Sequence, residues 1–220
     1  MLKIENTEVH GWDAAIRGMR NPMNSWDRSD SYWTYIEDAE THHRAKFEFF
    51  MGENDLNLMK NLAQAGDDHG KVLRYIDVTM DVDAPLYWWK EADTYRVAVA
   101  PHPTDVEYNS CSTMHKIHAK DFELDDFSHE HMREMSMNVL KDTIRVLNIY
   151  RRKYLDTKDK IYWWQLIQDL PSTYNQRRTM KLNYAVLRNI YHARRHHKLD
   201  EWHVFCDWIE SLPYSEVITA

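Results

Sequence analysis

The clearest hydrophobic pattern in the chain is a strict alternation of apolar and polar side chains over residues 75–82. A period of two predicts a half-buried β-strand. Its apolar face comprises Ile76, Val78, Met80 and Val82. Asp83 and Pro85 follow, and because an acidic N-cap with a proline in the first turn is typical of a helix start, we predict a helix from about Pro85 to Arg96. A segment with two prolines (101–107) and a polar loop (108–116) come next, and such loops commonly carry functional groups.

The rest of the chain shows mainly the helical period. We predict a short strand at Met1–Val9, a loop at Asn21–Arg44, and helices at Trp12–Arg20, Asn54–Ala65, Ser128 to about Leu155, Ile161–Leu170, Asn175–Arg195 and from Asp200 onwards. The inward face of the longest helix is expected to comprise Met132, Met135, Val139, Val146, Leu147 and Tyr150. These elements indicate an α+β fold: a small, mostly antiparallel sheet packed with several long helices, in a single domain over residues 1–220.

Composition narrows the class of protein. Of the 220 residues, 43% are hydrophobic, which is enough for a sizeable core, and a net charge of −7 argues against a nucleic-acid partner. The two cysteines, Cys111 and Cys206, make no disulfide framework, and neither a signal peptide nor a membrane-spanning run is evident, so we expect a cytoplasmic protein with no membrane partner. The 9 tryptophans and 13 tyrosines suit a core, an oligomer interface or stacking on a planar ligand.

The polar loop contains the residue types of a nucleophilic site without the expected spacing. Ser112 lies beside Cys111, with His115 and His118 close by, but no G-x-S-x-G or cysteine-protease signature surrounds them. We therefore favour a loop whose N–H and hydroxyl groups hold an anionic ligand over a catalytic triad. The chain also lacks the glycine-rich loops of dinucleotide-binding and P-loop folds, so a nucleotide would have to bind without them.

Histidines and cations cluster at the end of the predicted 175–195 helix. His192 and His196 are four residues apart, a spacing that can share a metal ion, but they lack the Glu of a His-Glu-x-x-His motif and we predict no metal site. The basic run 192–198 is either a local phosphate site or a solvated helix end. Asn189 falls on the apolar side of this predicted helix, where its amide must bond to the backbone or to a ligand.

Three segments, taken in order, resemble the flavin-dependent thymidylate synthases, over roughly residues 12–30 and 54–210 of the chain. Residues 55–85 are similar to the family's helix, histidine turn and strand ending in Ala-Pro, with His69 at the position of a flavin-contacting histidine. Residues 84–116 are similar to the helix and signature loop. There Arg96 keeps the last position of the R-H-R motif, Asn109 stands for the signature Asn, and Ser112 stands for its second Ser.

The third similar segment, residues 170–202, corresponds to the substrate and flavin half of the family. It contains Leu170-Pro171, Arg177, Asn183, Asn189, Arg194 and Trp202. Other positions depart from the family's pattern. Ser110 replaces the signature Glu, Met114 replaces the signature Arg with Lys116 nearby, Arg74-Tyr75 replaces Glu-His, and Ile167 stands where the family has a substrate-binding Arg.

The resemblance implies a homotetramer with FAD bound between subunits. It implies that NADPH reduces the flavin, that methylenetetrahydrofolate gives a methylene group to C5 of dUMP, and that flavin hydride completes the methyl group. The implied flavin contacts are His69, Arg96, Asn109, Asn183 and Asn189. The implied nucleotide contacts are Ser112, Lys116, Arg177 and Arg194, of which Ser112 and Arg194 are the implied catalytic residues. Two other hypotheses are the same fold acting on another pyrimidine nucleotide, and a non-enzymatic binding protein with Trp88-Trp89 and Trp163-Trp164 at an interface.

Overall fold

The computed structural model describes residues 2–36, 46–95 and 106–220 of the chain. The strands are β1 (Lys3–His10), β2 (Tyr32–Ile36), β3 (Lys46–Phe50), β4 (Asp77–Pro85), β5 (Glu107–Ser110) and β6 (Asn175–Asn183). The helices are α1 (Trp12–Arg20), α2 (Glu53–Gln64), α3 (Leu86–Ala92), α4 (Glu134–Thr157), α5 (Lys160–Gln168), α6 (Tyr184–Arg194), α7 (Asp200–Glu210) and α8 (Glu216–Thr219). The predicted α+β class, with a small antiparallel sheet and several helices, is confirmed.

The strands form two sheets within the described ranges. Four strands pair in the order β1-β4-β6-β5, and β2 pairs antiparallel with β3 in a register that sets Tyr32 opposite Phe50. Strand β4 buries Val78, Met80 and Val82, as the alternation of its sequence predicts. The period of two is therefore read correctly where one face of a strand is apolar throughout.

The described residues divide into two compact units. The first comprises residues 2–7, 80–95 and 107–180, and the second comprises residues 8–36, 46–79, 106 and 181–220. The single domain over residues 1–220 stays a prediction.

The core of the first unit lies under α4 and α5. It comprises Ile117, Phe122, Phe127, Leu140, Leu147 and Leu166. Trp88 and Trp89 of α3 are also buried, and Trp89 Nε1 donates a hydrogen bond to the main-chain oxygen of Gln176 at 2.9 Å. This pair belongs to the core, whereas Trp164 of α5 is exposed.

The core of the second unit surrounds Trp12 on α1. Its ring stacks on Phe49 with centroids 5.6 Å apart and meets Tyr184 and Tyr214 edge-on at 5.5 and 5.4 Å. Such offset and edge-to-face pairs stabilise a core beyond their buried area. Aromatic residues from four separate stretches of sequence therefore hold this unit together.

The helix predicted at Asn175–Arg195 is wrong in its first half. Residues 175–183 form β6, which buries Gln176, Met180 and Leu182, and α6 begins only at Tyr184. The polar and charged residues between the buried positions conceal the alternation, because pairing within the sheet, and not apolar pattern, decides the structure here.

Two further predictions of local structure are corrected. The loop predicted at Asn21–Arg44 contains β2, whose aromatic side chains lie on both faces and leave no alternation to detect. The helix from about Pro85 to Arg96 begins at Leu86 and, as α3, ends at Ala92. Asp83 does not cap it, because Asp83 lies within β4.

The longest helix also differs from its prediction. It begins at Glu134 and not at Ser128, whose hydroxyl donates to Asn175 Oδ1 at 2.8 Å. Met135 and Val139, expected inward, are 82% and 63% exposed, whereas Leu140 is buried. The helix carries two apolar stripes, and periodicity alone does not tell which one faces the core.

Candidate functional site

The second unit contains a pocket of about 150 Å³ at the start of α6, which we call the asparagine pocket. The end of α2 and the following turn form one side, and the first two turns of α6 form the other. Its lining residues are Ala63, Gly66, Asp67, Gly70, Leu73, Arg74, Asn183, Ala185, Val186, Arg188 and Asn189. Two of the implied flavin contacts, Asn183 and Asn189, therefore lie in one pocket.

The side-chain amides of the two asparagines differ in burial and in how they can hydrogen-bond to a ligand. Asn183 is 2% exposed and caps α6, its Oδ1 accepting from the N–H of Val186 at 3.0 Å. Such a cap satisfies one of the otherwise unpaired N–H groups of the first turn. Asn189 is exposed, so the prediction that it lies on the buried, apolar side is wrong. The buried face of α6 comprises Val186, Leu187 and Ile190, and Asn189 lies at its edge.

The charged groups of the asparagine pocket are mainly positive. Arg74 is exposed and has no hydrogen-bonding or ion-pair partner among the described residues. Arg188 donates from Nη2 to the main-chain oxygen of Ala220 at 3.0 Å, while its buried Nε has no partner among the described residues. Asp67 is the one carboxylate in the lining. An anionic group would meet net attraction here.

His69 belongs to the turn beside the asparagine pocket. Its main-chain N–H donates to Gly66 at 3.1 Å, and its side chain is exposed and is not part of the lining. Gly66 and Gly70, on either side of it, do line the pocket. The flavin role of His69 remains a prediction.

The first unit contains a larger pocket of about 470 Å³, which we call the acidic pocket. It lies among the β5 end, the loop after it, the segment before α4, and the start of β6. Its lining residues are Lys3, Asp83, Cys111, Ser112, Thr113, Lys120, Asp125, Asp126, Phe127, His129, Glu130, Tyr174, Asn175, Gln176 and Arg177. Carboxylates outnumber the lysines and the arginine, and burial raises the pKa of Tyr174 to about 12, so its phenol stays protonated.

Arg177 lines the acidic pocket but is surrounded by carboxylates. Its guanidinium lies 3.0 Å from Glu5, 2.9 Å from Asp81 and 3.7 Å from Asp83. Hydrogen bonds from Thr179, Asn6 and Arg177 lower the pKa of Asp81 to about 2, so this partner is ionised at neutral pH. The positive charge of Arg177 is therefore balanced within the protein before any ligand arrives.

Ser112 organises the loop after β5. Its Oγ accepts from the main-chain N–H groups of Met114 and His115 at 3.2 and 2.8 Å and lies 3.3 Å from His115 Nδ1. These local bonds are typical of a hydroxyl that fixes a turn. Ser112 lines the acidic pocket, whereas Lys116, in the same loop, and Asn109, in β5, are exposed and do not.

The remaining predicted contacts lie elsewhere. Arg194, near the end of α6, places its guanidinium 5.1 Å from the ring centroid of Trp202 and lines neither pocket. Ile167 packs against the core of the first unit, so its position holds no polar group. Arg96 lies outside the described residues. Trp163 donates from Nε1 to the main-chain oxygen of Met114 at 3.1 Å.

No cluster of three or more metal-binding side chains occurs in the described part of the chain, and His192 and His196 are both exposed. Among the described helices, none has the length and apolar character needed to cross a bilayer.

Sequence reasoning did not single out Arg188, and it noted Arg74 only as a departure from the family's pattern. Arg188 becomes visible as a pocket residue only when the β6–α6 boundary is known, because the boundary sets which residues form the first turns of α6. Arg188 directly precedes Asn189 in sequence, but this does not indicate a pocket residue when the whole of 175–195 is predicted to be one helix.

Solved structures share this fold over nearly the whole chain. The flavin-dependent thymidylate synthase ThyX from Helicobacter pylori, complexed with FAD and dUMP, superposes with a TM-score of 0.67 at 14% identity, over 99% of this chain and 98% of that chain. A second structure of ThyX from Helicobacter pylori, with FAD and dUMP, gives the same score and identity over 100% of both chains.

A third similar structure is the UMP/dUMP methylase PolB from Streptomyces cacaoi, bound with 5-Br dUMP. Its TM-score is 0.58 at 13% identity, over 99% of this chain and 94% of that chain. The sequence matches no protein-family model and no curated protein sequence. At these identities the likeness establishes the fold and leaves the chemistry to be argued from the residues.

Proposed function

We propose that the protein binds FAD with part of the cofactor in the asparagine pocket, and that it methylates a pyrimidine nucleotide. The finer proposal is the reductive methylation of dUMP to dTMP with methylenetetrahydrofolate and NADPH. One observation carries it. Asn183 and Asn189, which the resemblance implies as flavin contacts, line the same pocket as Gly66 and Gly70 of the turn that contains His69. More than 100 residues separate this turn from the two asparagines in sequence.

The residues of the asparagine pocket fit a flavin dinucleotide in charge. Its lining has two arginines and one carboxylate, which suits the negative diphosphate. The buried Nε–H of Arg188 is a donor that has no acceptor among the described residues. A pocket of about 150 Å³ is small beside the roughly 300–1,000 Å³ of typical cofactor sites, so it would hold only a part of FAD. The rest of the cofactor would need another surface.

The roles of individual residues follow from their chemistry. Bound flavin would supply the hydride that completes the methyl group. Asn189 would orient the cofactor through its exposed amide, and Asn183 would keep the α6 start in place as its cap. We propose nucleotide contacts for Ser112, Lys116, Arg177 and Arg194, and cofactor contacts for Asn109 and Arg96 in addition to His69.

Cofactor binding is tested by the visible spectrum of the purified protein and by titration with FAD. The matched pair of variants is Asn189→Ala, in the pocket, and His192→Ala, exposed on the same helix and outside the lining. We expect Asn189→Ala to weaken FAD binding by about 0.5–1.5 kcal/mol, the loss of one hydrogen bond, and His192→Ala to leave it unchanged. A protein that remains colourless and ignores added FAD would refute the proposal.

Nucleotide recognition is tested by measuring affinity for dUMP, UMP and dTMP in the presence of FAD. Arg194→Ala should weaken nucleotide binding by about 1–3 kcal/mol, the loss of a charge-assisted bond, while the exposed neighbour His196→Ala should not. An unchanged affinity would remove Arg194 from the site. Formation of dTMP from dUMP with methylenetetrahydrofolate and NADPH then tests the specific reaction.

A second candidate function is favoured by the state of Arg177. Three carboxylates surround it, and Ile167 offers no charge, so two positions implied to hold dUMP have no spare positive charge in this structure. This favours another pyrimidine nucleotide, or a nucleotide-binding protein without turnover. Flavin binding without dTMP formation, together with a melting-temperature increase for a nucleotide other than dUMP, would support this candidate.

The homo-oligomer implied by the resemblance is supported by the exposed stripe of α4. Met135, Val139 and Ile149 are exposed and share one face of this 24-residue helix with the half-buried Val146, away from the buried Leu140 and Leu147. We propose that a second copy covers it with its own α4 running antiparallel. In that arrangement Met135 meets Ile149 of the second copy, Val139 meets Val146, and the exposed Glu134 and Arg152 at opposite ends attract each other.

Sedimentation tests this interface. The assembly formed by Val139→Asp should have half the molecular mass of the wild-type assembly or less, because the substitution places a carboxylate in the proposed contact between the two α4 helices. Lys141→Asp, exposed on the same helix but off the stripe, should leave the mass unchanged. A wild-type protein that is monomeric at all concentrations would contradict the proposal.

A further inference from the structure

The two arginines of the asparagine pocket are a candidate site in their own right. Arg74 belongs to the 3-10 helix Gly70–Tyr75, and Arg188 belongs to the second turn of α6. Both line the same pocket, where Asp67 is the sole carboxylate of the lining. Within the described ranges, Arg74 has no partner and Arg188 has one main-chain acceptor, the oxygen of Ala220.

The hydrogen bonding of Arg188 is incomplete. Its Nε is shielded from water and has no acceptor among the described residues. A buried donor of a charged group without an acceptor is costly, and such groups call for an explanation such as a ligand. Rotation of the side chain toward the pocket would give Nε and Nη1 an acceptor if an anion were bound there.

The shape and surroundings of the pocket favour a phosphate-sized anion. Its volume of about 150 Å³ is too small for a whole dinucleotide and large enough for a phosphate or diphosphate group. The first turn of α6 adds the positive end of the helix dipole on the same side. Guanidinium groups match the geometry of phosphate oxygens in a way that ammonium groups do not.

We propose that Arg74 and Arg188 form an anion-binding pair that holds the phosphate groups of the ligand of this pocket. This rests on the proposed function only in naming FAD as one source of the diphosphate; a nucleotide phosphate is the other source. The pair binds the phosphates, and Asn189 contacts the sugar or base portion beyond them.

The experiment measures binding of inorganic pyrophosphate, FAD, riboflavin and dUMP to the full chain by calorimetry. Arg188→Gln and Arg74→Gln are compared with Arg28→Gln, an exposed arginine of the 3-10 helix Trp26–Arg28 that lines neither pocket. We expect wild-type protein to bind pyrophosphate, each pocket variant to weaken this binding about 10-fold or more, and Arg28→Gln to match wild type. Riboflavin, which has no phosphate, should bind all variants alike.

The pattern across ligands identifies the source of the phosphate. Weakening of FAD with dUMP unchanged assigns the pair to the dinucleotide, and weakening of dUMP with FAD unchanged assigns it to the nucleotide; either supports the proposal. Pyrophosphate affinity that is absent in wild type, or equal in the pocket variants, overturns it. If pyrophosphate binding depends on the arginines but FAD does not bind at all, the proposed flavin function fails while this inference stands.

A measurement on wild-type protein covers the case in which a variant does not fold. Phenylglyoxal modifies accessible arginines, and peptide mass mapping gives the extent at each one. Pyrophosphate should protect Arg74 and Arg188 about threefold or more, as expected of a bound anion that occupies their donors, and leave the exposed Arg28 unprotected. Equal modification of all three with and without pyrophosphate would overturn the proposal.

Discussion

Asp55 offers the sharpest test of the packing in the second unit. It is 0% exposed and pairs with the buried Arg20, whose Nε donates to Oδ1 at 2.6 Å. Its Oδ2 accepts from the hydroxyls of Ser29 and Ser31, both at 2.7 Å, and from the main-chain N–H groups of Asp30 and Ser31, both at 3.1 Å. One carboxylate at the start of α2 therefore ties both α1 and the segment before β2 to that helix.

The expected magnitude follows from what Asp55→Asn would leave behind. The guanidinium of Arg20 would stay buried without its counter-charge, and breaking one side of a buried ion pair typically costs about 3–5 kcal/mol. That is a large part of the about 5–15 kcal/mol by which domains are stable. In an Arg20→Met background the same change should cost about 1–3 kcal/mol less, because no charge is then left unpaired.

Urea denaturation followed by circular dichroism and tryptophan fluorescence measures this loss. Glu53→Gln, an exposed carboxylate in the first turn of the same helix, is the control and should change stability by less than about 0.5 kcal/mol. If Asp55→Asn lost no more than the control, the argument that Asp55 and Arg20 form a desolvated pair would be refuted.

The pH dependence of stability provides a second readout. Burial by itself would raise the pKa of Asp55, but the hydrogen bonds from Ser31, Ser29 and Arg20 lower it, and the lowering prevails. A folded-state pKa below the unfolded value of about 3.9 gives stability that is fully present above that value and is lost as the pH falls through the folded pKa. Asp55→Asn should therefore flatten the fall in stability below about pH 4.

Two further predictions use matched positions within the chain. Gly11 and Gly66 have φ of +98° and +99°, but a Cβ on Gly11 would lie 1.9 Å from the carbonyl oxygen of Tyr75, whereas one on Gly66 would meet nothing within 4 Å. Gly66→Ala should cost about 1–2 kcal/mol, and Gly11→Ala about 1–3 kcal/mol more, in urea unfolding; equal losses would contradict the clash. Cys206 is buried, which raises its thiol pKa to about 11, and Cys111 is exposed. A thiol reagent at pH 8 should therefore label Cys111 quickly and Cys206 only on unfolding, and equal labelling rates by mass mapping would refute this difference in burial.

The elements that could be predicted from sequence are those whose pattern has a single physical cause. Helix α1 was predicted at Trp12–Arg20 and occurs there, because its apolar stripe faces one core and Gly11 precedes it with a positive φ. Strand β4 was predicted because one face is apolar throughout. Strand β6 was missed since Arg177, Arg178 and Lys181 occupy it, and their partners come from other parts of the chain.

The long helix shows a different limit. Met135 and Val139 follow the helical period as well as Leu140 and Leu147 do, so sequence predicts two apolar faces without ranking them. Only packing against α5 decides which face is buried in one copy of the chain. If a second copy covers the exposed face, Met135 and Val139 are buried in the assembly. The prediction that they face inward is then wrong only in assuming that the helix has a single interface.

The same reasoning decides where a phosphate can bind. Arg177 matches a position that the family resemblance assigns to the nucleotide, yet its partners Glu5 and Asp81 lie 172 and 96 residues away in sequence, so no local motif reveals that its charge is already balanced. Arg188 matches no such position, yet its Nε lacks a partner among the described residues. An anion gains most from a cation that the protein has left uncompensated, because no internal ion pair must be broken first. On that ground the pair Arg74 and Arg188, rather than Arg177, is the first place to seek the phosphates of a ligand.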